Sequence, residues 1–243
     1  MKANYKGYDI DESVARVDEI LTTSDAVFEE TNSIPSRDKL TFSNGFYVNC
    51  SALFIDIRNS SQLPKKYQRP SLARIYRAYI SEMVAIMNGN QDCSEVNING
   101  DAVWAVFNTP YQENINLVFS TAAQLASMTA ILNCRFKKKQ GYEPISTGIG
   151  MAYGRALMLK AGYKGSTINE VVWMGDVVNE ASNLCGYGNK AYGDNHLMVS
   201  NTFYGNLKKS NQDLLCKNST RDCYHGNVIN LAMDGWWTEN CSK

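Results

Sequence analysis

Histidine is nearly absent from this chain: His196 and His225 are the only two among 243 residues. That scarcity excludes a His-rich metal centre and leaves a Ser–His–Asp hydrolase almost nothing to draw on. Neither sign of charge dominates. Lys and Arg together number 24, as do Asp and Glu, so no global basic field speaks for nucleic acid or an anionic membrane. No apolar run approaches the roughly 18 residues that suggest a membrane span, and the opening Met1–Tyr8 segment lacks the apolar stretch of a secretory signal. The seven cysteines are odd in number and form no CxxC pair; Cys216 and Cys223 stand too far apart for a usual zinc knuckle. Reduced thiols in a cytoplasmic protein are expected. No internal repeat or low-complexity tract occurs, and no G-x-G-x-x-G lies between a strand and a helix, so a dinucleotide fold is unsupported.

What is present is a core-forming chain, 44% hydrophobic, whose apolar periodicity switches repeatedly between helix and strand. The spacing of Val14, Val17, Leu21, Val27 and Phe28 predicts a helix over 12–30 with Asp11 and Ser13 as caps. A polar loop at 31–45 precedes a long strand from Phe46 to Ile57. Pro64 and Pro70 introduce a helix over 71–88, stopped at Gly89. Strands over 95–99 and 102–107 flank Gly100–Asp101, and a helix over 113–138 ends on Lys137–Lys139, a charge run suited to a helix C-terminus. Strands follow at 145–152, 155–160 and 170–174, then a helix from Val177, a strand at 197–199, a helical turn at 200–207 and a last strand at 228–231. This alternation predicts an α+β sandwich, helices over a largely antiparallel sheet.

Two carboxylates interrupt the apolar strands. Asp56 ends the run Leu53-Phe54-Ile55-Asp56, and Asp101 follows a glycine at a hairpin turn, where glycine accommodates positive φ. Solvated turn aspartates would look the same in isolation. At adjacent strand ends, however, two ionised carboxylates repel unless a cation lies between them. Two hard oxygen ligands with room for phosphate and water suit Mg²⁺ or Mn²⁺.

A third stretch, Glu170-Val171-Val172-Trp173-Met174-Gly175-Asp176-Val177-Val178-Asn179-Glu180-Ala181, completes a pattern. A strand ending in Asp-Ile, a Gly-Asp hairpin, a Gly-rich strand segment and a Val-Asn-x-Ala helix follow in order. Together they resemble the class III nucleotidyl cyclase domain over about residues 46–205, with 1–45 as an N-terminal helical extension and 206–243 as a C-terminal extension. The resemblance implies a ferredoxin-like core, a head-to-tail homodimer with active sites at the interface, and two divalent ions per site. It makes Asp56 and Asp101 the metal ligands, assisted by the Ile57 carbonyl. Backbone N–H groups of Asn59, Ser60 and Ser61 would cradle phosphate oxygens at a following helix start. Asn179 of the opposite subunit would position the ribose, where a local role at the helix N-terminus is the alternative.

Departures from the family pattern are informative. The arginine expected four residues after Asn179 is Asn183 here, and a neutral amide cannot stabilise charge on the α-phosphate as a guanidinium does. Arg58 and Arg155 are candidate substitutes by proximity in sequence, and no match to the family's C-terminal triphosphate lysine is evident. The two base-reading positions are Asn97 and Val172, a pair that fits neither purine pattern. Asn97 offers both a donor and an acceptor, enough to read uracil or cytosine. The chain thus resembles the bacterial pyrimidine cyclases of antiphage defence, which implies UTP, or next CTP, as substrate, a cyclic nucleotide as messenger and a separate effector protein as its target. An adenylate cyclase with an atypical base pocket and a non-catalytic dimerising module remain open at this point. His225 reads as a structural histidine in preference to a phosphate contact.

Overall fold

The computed structural model describes residues 2–242; Met1 and Lys243, the outer ends of the two expected extensions, lie outside the described residues. Helix α1 (Ile10–Leu21) and strand β1 (Phe28–Thr31) precede β2 (Gly45–Ile57). Short α2 (Leu63–Lys66) and long α3 (Arg69–Asn88) lead to the hairpin β3 (Cys93–Asn99) and β4 (Ala102–Asn108). Then come α4 (Gln112–Gln140), β5 (Thr147–Gly162), β6 (Asn169–Met174) and α5 (Asp176–Tyr187). The chain closes with β7 (Leu197–Val199), α6 (Asn201–Gly205), α7 (Lys209–Gln212), β8 (Cys216–Asn218), β9 (Cys223–Gly226) and α8 (Leu231–Cys241).

The strands form one sheet in the order β3-β4-β2-β5-β7-β9-β8, with β1 beside β2 and β6 beside β5. Most neighbours are antiparallel; β1 with β2 and β5 with β7 are parallel. Strand alternation divides β2 between two cores. Leu53, Ile55 and Ile57 face α3 and α4, packing on Tyr79, Met83, Val118 and Leu125. Ala52 and Phe54 face the other way, toward Trp173 and the α5 residues Val177, Ala181 and Cys185. By length and composition α4 could cross a membrane, yet more than half of its most apolar window is buried within the protein. It is the core helix of one sheet face.

Several local expectations are corrected. Helix α1 ends at Leu21 and is capped by Asp9, whose side chain accepts from Glu12 N–H at 2.9 Å, in place of Asp11 or Ser13. Phe28 already belongs to β1, because the edge of β2 offers it a backbone ladder from Phe28↔Gly45 onward. Residues 147–162 form one strand, not two, since β2 pairs with it without interruption from Gly45↔Leu159 to Ile57↔Thr147. Residues 228–231 are not a strand; the sheet ends instead in the β8–β9 hairpin, and Asn230 caps α8. The expectation of wholly reduced thiols also fails: Cys134 on α4 is disulfide-bonded to Cys241 on α8, and Cys50, Cys93, Cys185, Cys216 and Cys223 are free.

Candidate functional site

The hairpin register brings the two sequence-predicted carboxylates together. Antiparallel pairing of Ile55 with Val103 puts the β3–β4 turn beside the end of β2, and Gly100 supplies the turn at φ +65°. Burial, then the hydrogen bond and negative charge of Asp101, push the Asp56 carboxyl up to about 6; Arg58 opposes the shift. Arg58 lies in the crease below, with Nη2 3.1 Å from Asp56 Oδ2 and Nη1 donating to the Gly186 carbonyl at 3.1 Å. The Tyr79 hydroxyl from α3 is buried with no hydrogen-bond partner, and burial foremost pushes its pKa upward, the charges of Cys185, Asp56 and Asp101 adding to the rise.

One oxygen of this pair is orphaned. Asp101 Oδ2 is buried and has no hydrogen-bond partner. A buried, unsatisfied carboxylate oxygen beside a second carboxylate is an arrangement a hard divalent cation would complete. Among the described residues no cluster of three or more His, Cys, Asp or Glu side chains could hold a metal. Two carboxylates are fewer than a hard cation's full set, so a cation held there would need a backbone carbonyl, phosphate or water to complete it. Asn59 follows in the left-handed region at φ 55°, and Ser60–Gln62 form a 3₁₀ turn. The helix expected there is the four-residue α2; the long helix begins only at Arg69.

The other half of the candidate site is carried by α5. Its close seat on β5 depends on the glycines noted in the sequence: a Cβ at Gly150 would stand 2.1 Å from the Ala181 carbonyl oxygen and from Cys185 N. The helix begins at Gly175, φ +142°, with no side-chain cap, so Asn179 does not serve as one. Asn179 and Asn183 line a cleft of about 410 Å³ with Glu180, Tyr187 and, from the β8–β9 turn, Arg221 and Asp222. Neither Asp56 nor Asp101 lines it. The acidic pair and the two amides thus stand at separate places on the chain.

Arg221 is the residue that sequence reasoning missed. Its Nη2 lies 3.1 Å from Asp194 Oδ2, its Cζ 4.4 Å from the Tyr187 ring centre, and its Nε is buried without a partner. The two arginines singled out by sequence proximity are engaged elsewhere. Arg58 is tied to Asp56 and Gly186, and Arg155 pairs with Glu30 while stacking 3.9 Å over Tyr47.

At the base-reading positions, Asn97 shares a face of β3 with Glu95, whose Oε1 is 3.5 Å from Asn97 Nδ2. Glu95 is buried and takes hydrogen bonds from Trp173 Nε1 at 3.1 Å and Arg37 at 2.9 Å. A carboxylate only accepts, so it draws the Asn97 NH₂ toward itself and leaves Oδ1 outward. Val172 is half-buried and pairs with Leu159. By strand alternation it points away from the side taken by Val171 and Trp173, so Trp173 is the β6 residue that meets the Asn97 side of the sheet. His225 is buried, with Nδ1 facing Asn195 N–H at 3.3 Å and Asn218 Nδ2 at 3.4 Å, a satisfied structural histidine. A larger cleft of about 850 Å³ under α1 is lined by Val17, Ile20, Phe28 and Leu159 and by none of these candidates.

Comparison with known proteins identifies the family and the fold. Residues 43–222 match the family model "Adenylate and Guanylate cyclase catalytic domain". The chain is 42% identical to a uridylate cyclase of Gulbenkiania mobilis, covering 99% of this chain and 100% of that protein. It is 35% identical to a uridylate cyclase of Treponema porcinum over 94% of this chain and 80% of that protein. The adenylyl cyclase CyaB from P. aeruginosa shares the fold, with a TM-score of 0.61 at 17% identity, covering 71% of this chain and 85% of that chain. The chain belongs to the adenylate and guanylate cyclase catalytic domain family, the class III nucleotidyl cyclases.

Proposed function

We propose that this protein is a homodimeric uridylate cyclase, converting UTP to 3′,5′-cyclic UMP and pyrophosphate. The observation that carries the reading is the pair Asp56–Asp101 with its buried, unpartnered oxygen. Two uridylate cyclases aligned over nearly the whole chain support the choice of base. CTP is the second candidate substrate, because the Asn97 amide can pair with either pyrimidine edge. The catalytic unit spans 46–205, with 1–45 and 206–243 as extensions. The product serves as a messenger to a separate effector in antiphage defence, an extension that rests on the motif resemblance.

Asp56, Asp101 and the Ile57 carbonyl hold divalent ions, Mn²⁺ or Mg²⁺. Such ions, when bound, acidify the ribose 3′-hydroxyl and neutralise phosphate charge. O3′ bonds to the α-phosphorus as the bridge to the β-phosphate breaks; that electron pair leaves with pyrophosphate and the hydroxyl proton passes to solvent. Backbone N–H groups of Asn59, Ser60 and Ser61 receive phosphate oxygens. Asn97 reads the base edge, with Val172 the second base-reading position by resemblance. By the resemblance Asn179 comes from the partner copy, and Asn183 on the same helix comes with it; that the cleft they line does not include Asp56 or Asp101 supports this reading.

The test is purified protein with Mn²⁺ and each of ATP, GTP, CTP and UTP separately, products resolved by mass. Cyclic UMP as the main product, abolished in Asp56→Ala, is expected. Cyclic AMP as the main product would refute the pyrimidine reading, and no product from any nucleotide would refute the cyclase reading.

A further inference from the structure

The base-reading amide has a fixed neighbour that no motif marks. Glu95 stands two residues before Asn97 on β3 and shares its sheet face, across the ladder from Val106 and Trp104 respectively. Both oxygens of its carboxylate are tied. Oε2 accepts from Trp173 Nε1 at 3.1 Å. Oε1 pairs at 2.9 Å with Arg37 Nη2, a cation delivered by the 3₁₀ turn Arg37–Lys39 of the N-terminal extension. Oε1 is also the atom that faces Asn97 Nδ2, at 3.5 Å. Among the described residues no other group hydrogen-bonds the Asn97 side chain. Turning the amide over would set Asn97 Oδ1 against Oε1, two acceptors with no proton between them. The Glu95 side chain is 6% exposed, so water does little to screen that repulsion.

We propose that Glu95 selects uracil over cytosine by locking the Asn97 amide with Oδ1 toward the base. This deepens the uridylate cyclase reading and rests on it. The two pyrimidines are opposite in pattern along the edge from N3 to the 4-substituent. Uracil shows a donor, N3–H, beside an acceptor, O4. Cytosine shows an acceptor, N3, beside a donor, the N4 amino group. An amide with Oδ1 at N3 and one Nδ2 hydrogen at O4 pairs with uracil twice, while the other Nδ2 hydrogen stays on Glu95. Cytosine in the same pose sets acceptor against acceptor and donor against donor, and only the overturned amide would suit it. A site of this kind rejects the base that leaves its polar groups unpaired. Glu95 touches no substrate atom in this scheme. It is a positioning residue that acts through Asn97, held in turn by Arg37 and Trp173.

The competing role for Glu95 is structural, a buried carboxylate that ties the N-terminal extension and β6 to β3. The ratio of kcat/KM for UTP to that for CTP separates the two roles. Glu95→Gln brings an amide that either accepts from Asn97 Nδ2 or donates to Oδ1, so both settings of Asn97 become available. Arg37 is 55% exposed and keeps water as a partner. Should Glu95→Gln nonetheless fail to fold, Arg37→Gln/Glu95→Gln, with a neutral hydrogen-bonded pair, takes its place. Wild type is expected to favour UTP, and Glu95→Gln to lower the UTP/CTP ratio by at least about fivefold. In an Asn97→Ala background the same change is expected to move the ratio by less than that. A folded variant whose ratio falls by less than this limit overturns the proposal, because a structural tie lowers Tm and the turnover of both nucleotides together. So does a wild type that favours CTP or uses both alike, and so does a shift beyond the limit in the absence of the Asn97 amide. Should wild type form no cyclic UMP, the uridylate cyclase reading fails separately. The ratio of dissociation constants for UTP and CTP with Mn²⁺, measured by calorimetry, is then read against the same limits.

Discussion

Replacing Gly150 by alanine should move the amide half-site without touching any polar group. The added Cβ would stand 2.1 Å from the Ala181 carbonyl oxygen and 2.1 Å from Cys185 N, both backbone atoms of α5. Relieving that contact requires α5 to withdraw from β5 by about 1 Å. Overpacking of this kind costs about 1–3 kcal/mol, which for a domain of this size lowers Tm by roughly 2–12 °C. Asn179 and Asn183 travel with the helix, and a misplacement of about 1 Å costs on the order of 100-fold in rate. Gly154 is the internal control. A Cβ there meets only the Val177 side chain, at 3.6 Å, an ordinary contact. Gly154→Ala should therefore leave Tm unchanged or slightly raised, because alanine loses less backbone entropy on folding. The assay is calorimetric or fluorescence melting beside steady-state cyclisation of UTP. A Gly150→Ala protein with the Tm and kcat of wild type would refute the packing account of α5.

Three further outcomes follow from the same geometry. Burial and Asp101 raise the Asp56 carboxyl to about 6 in the folded protein, so protonation of Asp56 favours the native state, and that contribution disappears as pH rises through about 6. A divalent ion must displace this proton, so the Tm gain on adding Mn²⁺ should grow from pH 5.5 to 7.5 and vanish in Asp101→Ala; a gain independent of pH would contradict the metal assignment. Conversely, burial lowers the pKa of His196, whose ring nitrogen contacts the Val228 carbonyl at 3.2 Å; the unfolded chain then binds the proton more readily, and His196→Gln should flatten the loss of Tm as pH falls below 6.5, with an unchanged slope counting against it. The Cys134–Cys241 bond spans 107 residues, for which a loop-entropy ceiling is about 4–5 kcal/mol. Cys241→Ser should lower Tm by several degrees while kcat stays within threefold, and a reductant should bring wild type to the same Tm; indifference of wild type to reductant would contradict the bond.

The parts of the site that were legible in the sequence are those in which the chemistry and its structural support are neighbours along the chain. Asp56 ends an apolar run, Asp101 follows its turn glycine, and Asn179 and Asn183 are one helical turn apart, so local pattern alone places them on strand end, hairpin and helix. The remainder depends on partners far away. The strands expected at 145–152 and 155–160 are one, because β2 carries the ladder straight through the gap between them, Cys50 pairing with Gly154. The β8–β9 hairpin consists of strands only three and four residues long, too short for alternation to register. Arg221 was invisible for that reason: its position in the turn and its pairing with Asp194 are consequences of the hairpin. The disulfide joins α4 to α8, Leu231–Cys241, a helix for which the sequence reading, ending on a strand at 228–231, has no expectation. Beside Val172, which the motif offset selects, strand alternation turns the neighbouring Trp173 toward the Asn97 side of the sheet, a placement that the offset alone does not reveal.

The shared-site account is tested most directly by mixing two inactive chains. Asp56→Ala lacks the acidic half-site and Asn179→Ala the amide half-site. In a head-to-tail dimer each heterodimer has one wholly intact site and one doubly damaged site. An equimolar mixture that exchanges subunits freely should therefore form cyclic UMP at about one quarter of the wild-type rate, while each variant alone forms almost none. No cyclic UMP from a mixture shown to exchange subunits would contradict the claim that one chain supplies Asp56 and Asp101 and its partner supplies Asn179.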